Sequence, residues 1–369
     1  MTAITFRPTT ASAVVRSFLT SSNLGKPTKA LFPFSKLPFT FKPLNATTTT
    51  ALSTLRTLTP LKSTSSASDL SPINTTSADD SISVGTSSLK SLKSRLRNGD
   101  TLYGVFLLSF SPTLAEIAGL SGYDFVVLDM EHGPGGITEA LSCLRALAAT
   151  QTPAIIRLPE SCPTWAKKAL DLGPQGIMFP MIDSPKMAKK AVSYCRFPPA
   201  GIRGSAHPVV RASSYGIDEG YLSNYEDELL IMCQVETEEG VKKADEIAAV
   251  DGVDCIQMGP LDLSASMGYL WDPGHKKVRE MMRVAEKAVL GSNPASGGGA
   301  YLAGFSLPHD GPTNMKSRGY HMVSGAVDVG LFRSAAVEDV KSFKMSLVEG
   351  SDDDGEGGKE SADEKYWSE

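Results

Sequence analysis

The stretch D-C-I-Q-M-G-P-L-D-L-S, Asp254–Ser264, decides how this chain reads. Cys255–Met258 is a short apolar run of strand character, and Gly259-Pro260 interrupts it at once. Asp262 follows on a predicted loop, just ahead of a helical Ser264–Met267. In α/β proteins chemistry gathers immediately past the C-terminal ends of buried strands, which makes the placing of Asp262 informative. Upstream, L-I-M-C-Q-V-E (Leu230–Glu236) repeats the arrangement, an apolar strand ending in an acid. Taken singly, each carboxylate is as readily a cap for the helix after it. At the same ends of two neighbouring parallel strands, the pair would converge on one hard cation.

Working outward, the strand signal recurs eight times: Leu102–Leu108, Phe125–Asp129, Ala154–Leu158, Gly176–Pro180, Leu230–Glu236, Cys255–Met258, Tyr301–Phe305 and His321–Ser324. Helical signals fall between them. Ser111-Pro112 and Ser184-Pro185 read as N-cap and first-turn proline. Leu141, Leu144 and Leu147 form one apolar helix face, and Val278, Met281, Met282 and Ala285 another. Eight strand–helix units in about 250 residues predict a closed (β/α)8 TIM barrel over residues 88–348, although strand count separates it only weakly from an open doubly wound sheet.

The flanks differ in composition. Residues 1–68 contain no Asp or Glu, eight basic residues, and more than a third Ser or Thr. That is the signature of an organelle transit peptide, plastid ahead of mitochondrion because hydroxyl residues dominate over Arg. Residues 69–87 read as a disordered linker and 349–369 as a disordered acidic tail; Ser292–Gly299 reads as a flexible surface insertion. The net charge of −5 argues against a nucleic-acid or membrane-surface partner, and no apolar run reaches the ~20 residues needed to span a bilayer. The five cysteines are scattered, which excludes a cysteine-built zinc site. The long connection Arg196–Asn224, with its Pro, Gly and Arg residues, reads as a functional loop.

Other strand ends carry further chemistry. The second runs Leu128-Asp129-Met130-Glu131-His132, and a His flanked by acids there suits a general base, or a loop closed by hydrogen bonds. Arg157 interrupts the apolar third strand, so it pairs with an acid, faces an anion at the barrel mouth, or does both. Asp171, at a helix end, reads on its own as a surface residue. Together, His132, Arg157, Glu236 and Asp262 form one site. Two carboxylate ligands leave room on an octahedral cation for a 2-oxo acid, whose α-carbon the metal acidifies. His132 takes the proton, Arg157 steadies the enolate oxygen, and the amides of Gly259, Leu261 and Asp262 hold the carboxylate.

The segments G-Y-D-F-V-V-L-D-M-E-H, A-I-I-R-L-P, R-F-P-P-A-G-I-R-G, C-Q-V-E-T and Q-M-G-P-L-D-L-S, spread over Leu102–Val340, resemble the HpcH/HpaI aldolases. These are metal-dependent class II pyruvate aldolases that include 2-dehydro-3-deoxyglucarate aldolase; the flanking composition points to a plant plastid-type member. The resemblance implies a phosphoenolpyruvate/pyruvate-type barrel that cleaves a 4-hydroxy-2-oxo acid to pyruvate and an aldehyde through a metal-stabilised enolate. It implies Glu236 and Asp262 as ligands of Mg2+ or Mn2+ (Co2+ is a further option), and His132 and Arg157 as catalytic. Asp129 and Asp171 would support the His and the water network, Asp171 from a neighbouring subunit of a homo-oligomer, a hexamer or trimer with exchanged C-terminal helices. Phe106 and the Gly304–His309 stretch depart from bacterial members beside the expected aldehyde pocket. The alternatives are an acyl-CoA lyase of the citrate or malyl-CoA type, or a non-catalytic barrel binding protein.

Overall fold

Each apolar run is short, is bounded by turn residues, and is followed by a helix that carries the chain back to the start of the next run, so the strands must lie parallel. The computed structural model describes residues 91–291 and 299–349. Its strands are β1 (Leu102–Leu107), β2 (Phe125–Asp129), β3 (Ala154–Arg157), β4 (Gly176–Phe179), β5 (Leu230–Val235), β6 (Cys255–Met258), β7 (Tyr301–Phe305) and β8 (Met322–Val327). Each pairs in parallel with the next, and β8 returns to β1 to close the barrel. The predicted (β/α)8 barrel is therefore the fold. Five strands differ from expectation at their ends: β1, β3, β4 and β5 each stop one residue earlier, leaving Glu236 just past β5, and β8 begins at Met322 and runs on to Val327. The expected transit segment, linker and nearly all of the acidic tail and 292–299 insertion lie outside the described residues.

Alternation along the strands divides the core in two. Val126, Leu128, Ile156, Ile231, Cys233, Val235, Ile256 and Met258 face the surrounding helices. Phe125, Val127, Ile155, Leu230, Met232 and Cys255 fill the barrel interior. The inward series continues toward the C-terminal ends as Asp129, Arg157, Gln234 and Gln257, all buried. The interior is thus apolar below and polar above.

A short helix, Leu92–Arg97, closes the lower end. Ser91 caps it by accepting from Ser94 N at 3.2 Å. Leu92 and Leu96 are fully buried in the interior cluster, each contributing about 1.5–3 kcal/mol of apolar burial. Lys93 Nζ pairs with Asp254 at 2.9 Å. The predicted caps Ser111 and Ser184 both accept a backbone N–H at 3.3 Å, from Leu114 and Met187. At the opposite end of the chain, Asp328 opens the last helix, Asp328–Glu349, and its carboxylate accepts from Leu108 N at 2.9 Å and Ser109 N at 3.0 Å.

The Arg196–Asn224 connection does not border the mouth of its own barrel. It follows the helix Pro185–Cys195, which runs back down from β4, and so it feeds the lower end of β5. Its Arg203 is buried and stacks on Phe197 at 4.6 Å. Replacing Leu96 by Ala should lower the unfolding free energy by about 2–5 kcal/mol in urea titration, and a loss below about 0.5 kcal/mol would contradict the plug.

Candidate active site

Two cross-strand registers build the floor of the mouth. Asp129 lies opposite Arg157 across β2 and β3, and Gln234 opposite Gln257 across β5 and β6. Arg157 Nε donates to Asp129 Oδ1 at 2.8 Å and Nη2 to Oδ2 at 2.5 Å, a bidentate pair in which Asp129 is wholly buried. Burial alone would lower the Arg157 pKa, but the Asp129 hydrogen bond and the charges of Asp129, Glu131 and Glu236 outweigh it and hold it above its ordinary value. The guanidinium also lies 5.0 Å from the Phe106 ring centroid.

This pairing changes the role expected of Asp129. Its carboxylate supports His132 only through the backbone, where Oδ1 accepts from Glu131 N at 3.1 Å and His132 N at 3.4 Å. The imidazole itself is half exposed and lines the cavity, with Nε2 3.9 Å from Glu131 Oε2. Glu131, given no role from sequence, turns back once β2 has ended and sets Oε2 2.8 Å from Arg157 Nη1, a charge contact without hydrogen-bond geometry.

Glu236 is buried. Oε1 accepts from Met181 N at 2.7 Å and Oε2 accepts from Gln234 Nε2. Burial pushes its pKa up, the two hydrogen bonds oppose the rise, and the charges of Glu131 and Asp262 add to it, leaving it at about 7. Gly259 makes this position possible: a Cβ there would fall 2.5 Å from Glu236 Oε2. The helix after β6 begins at Pro260, so Asp262 stands in its first turn and not on a loop, because proline at the first helical position is favourable. Of the three amides expected to hold a carboxylate, Gly259 N is already donated to Val235 O at 3.1 Å. Leu261 and Asp262 precede the first intrahelical bond, Leu263 N to Gly259 O, and keep theirs.

His132, Arg157, Asp129 and Asp262 share a cavity of about 230 Å³ with Gln234, Gln257, Phe106 and Phe305. Asp171 does not join them. It ends the helix Pro163–Asp171, which descends from β3, and lies at the lower face with Oδ1 3.7 Å from Arg203 Nη2. Gln234 and Gln257 escaped sequence reasoning, yet their signal was present. A glutamine in an otherwise apolar strand, on the inward face, has to be answered by a partner.

A family model described as HpcH/HpaI aldolase/citrate lyase matches residues 102–335, nearly the whole barrel. The chain belongs to the HpcH/HpaI family. With that membership it is an enzyme of the lyase type. A hydroxypyruvate/pyruvate aldolase of Chromohalobacter salexigens is 35% identical over 248 residues, covering 67% of this chain and 95% of the relative. The 2-keto-3-deoxy-L-rhamnonate aldolase of Escherichia coli K12 is 34% identical over 252 residues, covering 68% and 92%. A crystal structure of a family protein from Burkholderia cenocepacia matches with a TM-score of 0.64 and 34% identity, covering 69% of this chain and all of that one.

The HpcH/HpaI chain's donors suit a hard, exchangeable cation. Among the described residues no three His, Cys, Asp or Glu side chains form a closed cage. Glu236 and Asp262 offer oxygen only, and the charge of Asp262 adds to the surroundings of Glu236. Two carboxylates with open positions are what Mg2+ or Mn2+ accepts while keeping water or substrate oxygens.

Two outcomes follow for this HpcH/HpaI site. Asp129→Asn keeps the shape but removes the charge opposing Arg157, and kcat should fall about 10²-fold or more while calorimetric metal affinity stays within about twofold. A kcat equal to wild type would remove the pair from catalysis. Glu236 is held at about 7, so a divalent metal taken up by its carboxylate would have to expel the proton at lower pH. Apparent Mn2+ affinity should therefore fall toward tenfold per pH unit below 7 and level off above it. A flat calorimetric profile from pH 5.5 to 8 would contradict this.

Proposed function

We propose that the chain is a divalent-metal-dependent aldolase that reversibly cleaves a 4-hydroxy-2-oxo acid to pyruvate and an aldehyde. The observation that carries this reading is the buried Arg157 standing within charge range of Glu236 at a mouth that also presents Asp262 and His132. The names of the two curated relatives, both aldolases and one a pyruvate aldolase, support it.

Arg157, held by Asp129, receives the oxygen on which negative charge develops when a 2-oxo acid loses an α-proton. The Leu261 and Asp262 amides receive the carboxylate, and His132 takes the α-proton at an imidazole nitrogen. Mg2+ or Mn2+ held by Glu236 and Asp262, with Co2+ a further option, would supply Lewis acidity to the keto oxygen. In the cleavage direction the same groups reprotonate the α-carbon after the aldehyde has left.

The proposal includes a homo-oligomer, hexamer or trimer. It is supported by the distance of Asp171 from its own mouth and by exposed Leu331, Phe332 and Val340 on the last helix. It places the enzyme in the plastid stroma, with the mitochondrion second, on the acid-free, hydroxyl-rich composition of residues 1–68.

The decisive assay avoids choosing an aldehyde. Pyruvate in heavy water, followed by NMR, should lose its methyl proton signal only when protein and Mg2+ or Mn2+ are both present. Glu236→Ala and Asp262→Ala should abolish this exchange, and His132→Ala should abolish it while still binding metal in a calorimetric titration. Exchange that persists in both carboxylate variants would refute the proposed site.

A further inference from the structure

Resting on the aldolase reading, we infer that the aldehyde partner carries an apolar tail, aliphatic or aromatic, in place of a polyhydroxylated one. The cavity is divided by chemistry. Its polar side chains lie on the β2, β3, β5 and β6 side, and apart from Gln257 Oε1 the amide and guanidinium groups there are engaged by neighbours. Arg157 is held by Asp129, and Gln234 spans Arg157 Nη1 at 3.4 Å and Glu236. Gln257 Nε2 donates to Met258 O at 3.2 Å. His132 and Asp262 belong to the pyruvate half.

The remaining wall comes from strands adjacent around the barrel, β7, β8 and β1, together with the helix after β6. It consists of Phe305, Val327, Phe106, Leu108 and Leu261. Phe106 stands in register with Val327. The Phe305 ring meets the Phe106 ring edge to face, with centroids 5.6 Å apart and planes at 77°. None of these five side chains can donate or accept a hydrogen bond. A hydroxylated tail laid on them loses its bonds to water and gains none, whereas each methylene leaves water with profit.

The step itself is balanced. The pyruvate methyl yields one proton to His132, and the carbon so released forms the new C–C bond to the aldehyde carbon. The carbonyl π pair moves onto the aldehyde oxygen, which takes a proton back to become the 4-hydroxyl. No oxidant or reductant enters.

The test uses the full chain with Mn2+ and pyruvate, timing aldol formation with propanal, butanal, hexanal and benzaldehyde against glycolaldehyde and glyceraldehyde. We expect kcat/KM to rise about fourfold per methylene from propanal to hexanal. Hexanal should exceed glyceraldehyde by about tenfold or more, and Phe305→Ser should shrink that ratio by about tenfold. Phe305→Leu, which keeps the wall apolar, should retain the aliphatic preference and lose rate with benzaldehyde. Methyl exchange in wild type accompanied by equal or better rates with glyceraldehyde would overturn the acceptor assignment alone. Absence of both exchange and turnover would overturn the aldolase reading and this assignment with it.

Discussion

A guanidinium and a carboxylate buried side by side on adjacent strands constrain this barrel more than any other contact. Arg157 and Asp129 are level in the β2–β3 ladder and both point inward. A slip of one residue would turn both charges into the apolar layer under the helices. Either charge alone would be too costly to bury, so the pair enforces its own register. Lysine could not replace the arginine, because only the planar fork meets both carboxylate oxygens while a further nitrogen reaches Gln234. Phe106, Glu131 and Gln234 are then arranged around a cation whose position is no longer free.

Above that floor the mouth has two kinds of wall. One side presents Asp262, Gln234 and Gln257, with Glu236 buried against Gln234 and Glu131 beside Arg157. Burial, with the charges of Glu131 and Asp262 added, raises the Glu236 pKa against the Gln234 and Met181 hydrogen bonds, an arrangement that resists ionisation without a counter-charge. The other side is closed by two phenylalanines and three aliphatic side chains. On the proposed aldolase reading, segregating the walls would give the 2-oxo acid and the aldehyde separate sides of one cavity.

The barrel was legible because each strand is a compact apolar run with clear punctuation, and because a residue following such a run is placed by topology alone. Glu236, Asp262, Arg157 and His132 were found on that ground. Period-two alternation would also have revealed Gln234 and Gln257 had inward and outward positions been separated before polar residues were sought. The direction of helices was the information missing for the Arg196–Asn224 loop, and it also accounts for the place of Asp171. A residue at the end of a helix after β3 lies a whole strand length from the mouth. The Asp129 side chain illustrates a different gap, since two partners, Arg157 and His132, were equally near in sequence pattern. The planar guanidinium took the carboxylate, because it meets both oxygens at once.

The Asp328 carboxylate fastens the turn after the first strand across 220 residues of sequence. Leu108, whose amide it holds, borders the cavity. The upper end of β1 therefore cannot settle until β8 and the start of the last helix are in place. The cavity wall beside Leu108 thus depends on contacts far apart in sequence, and slow folding is expected of a topology whose first and last strands are neighbours.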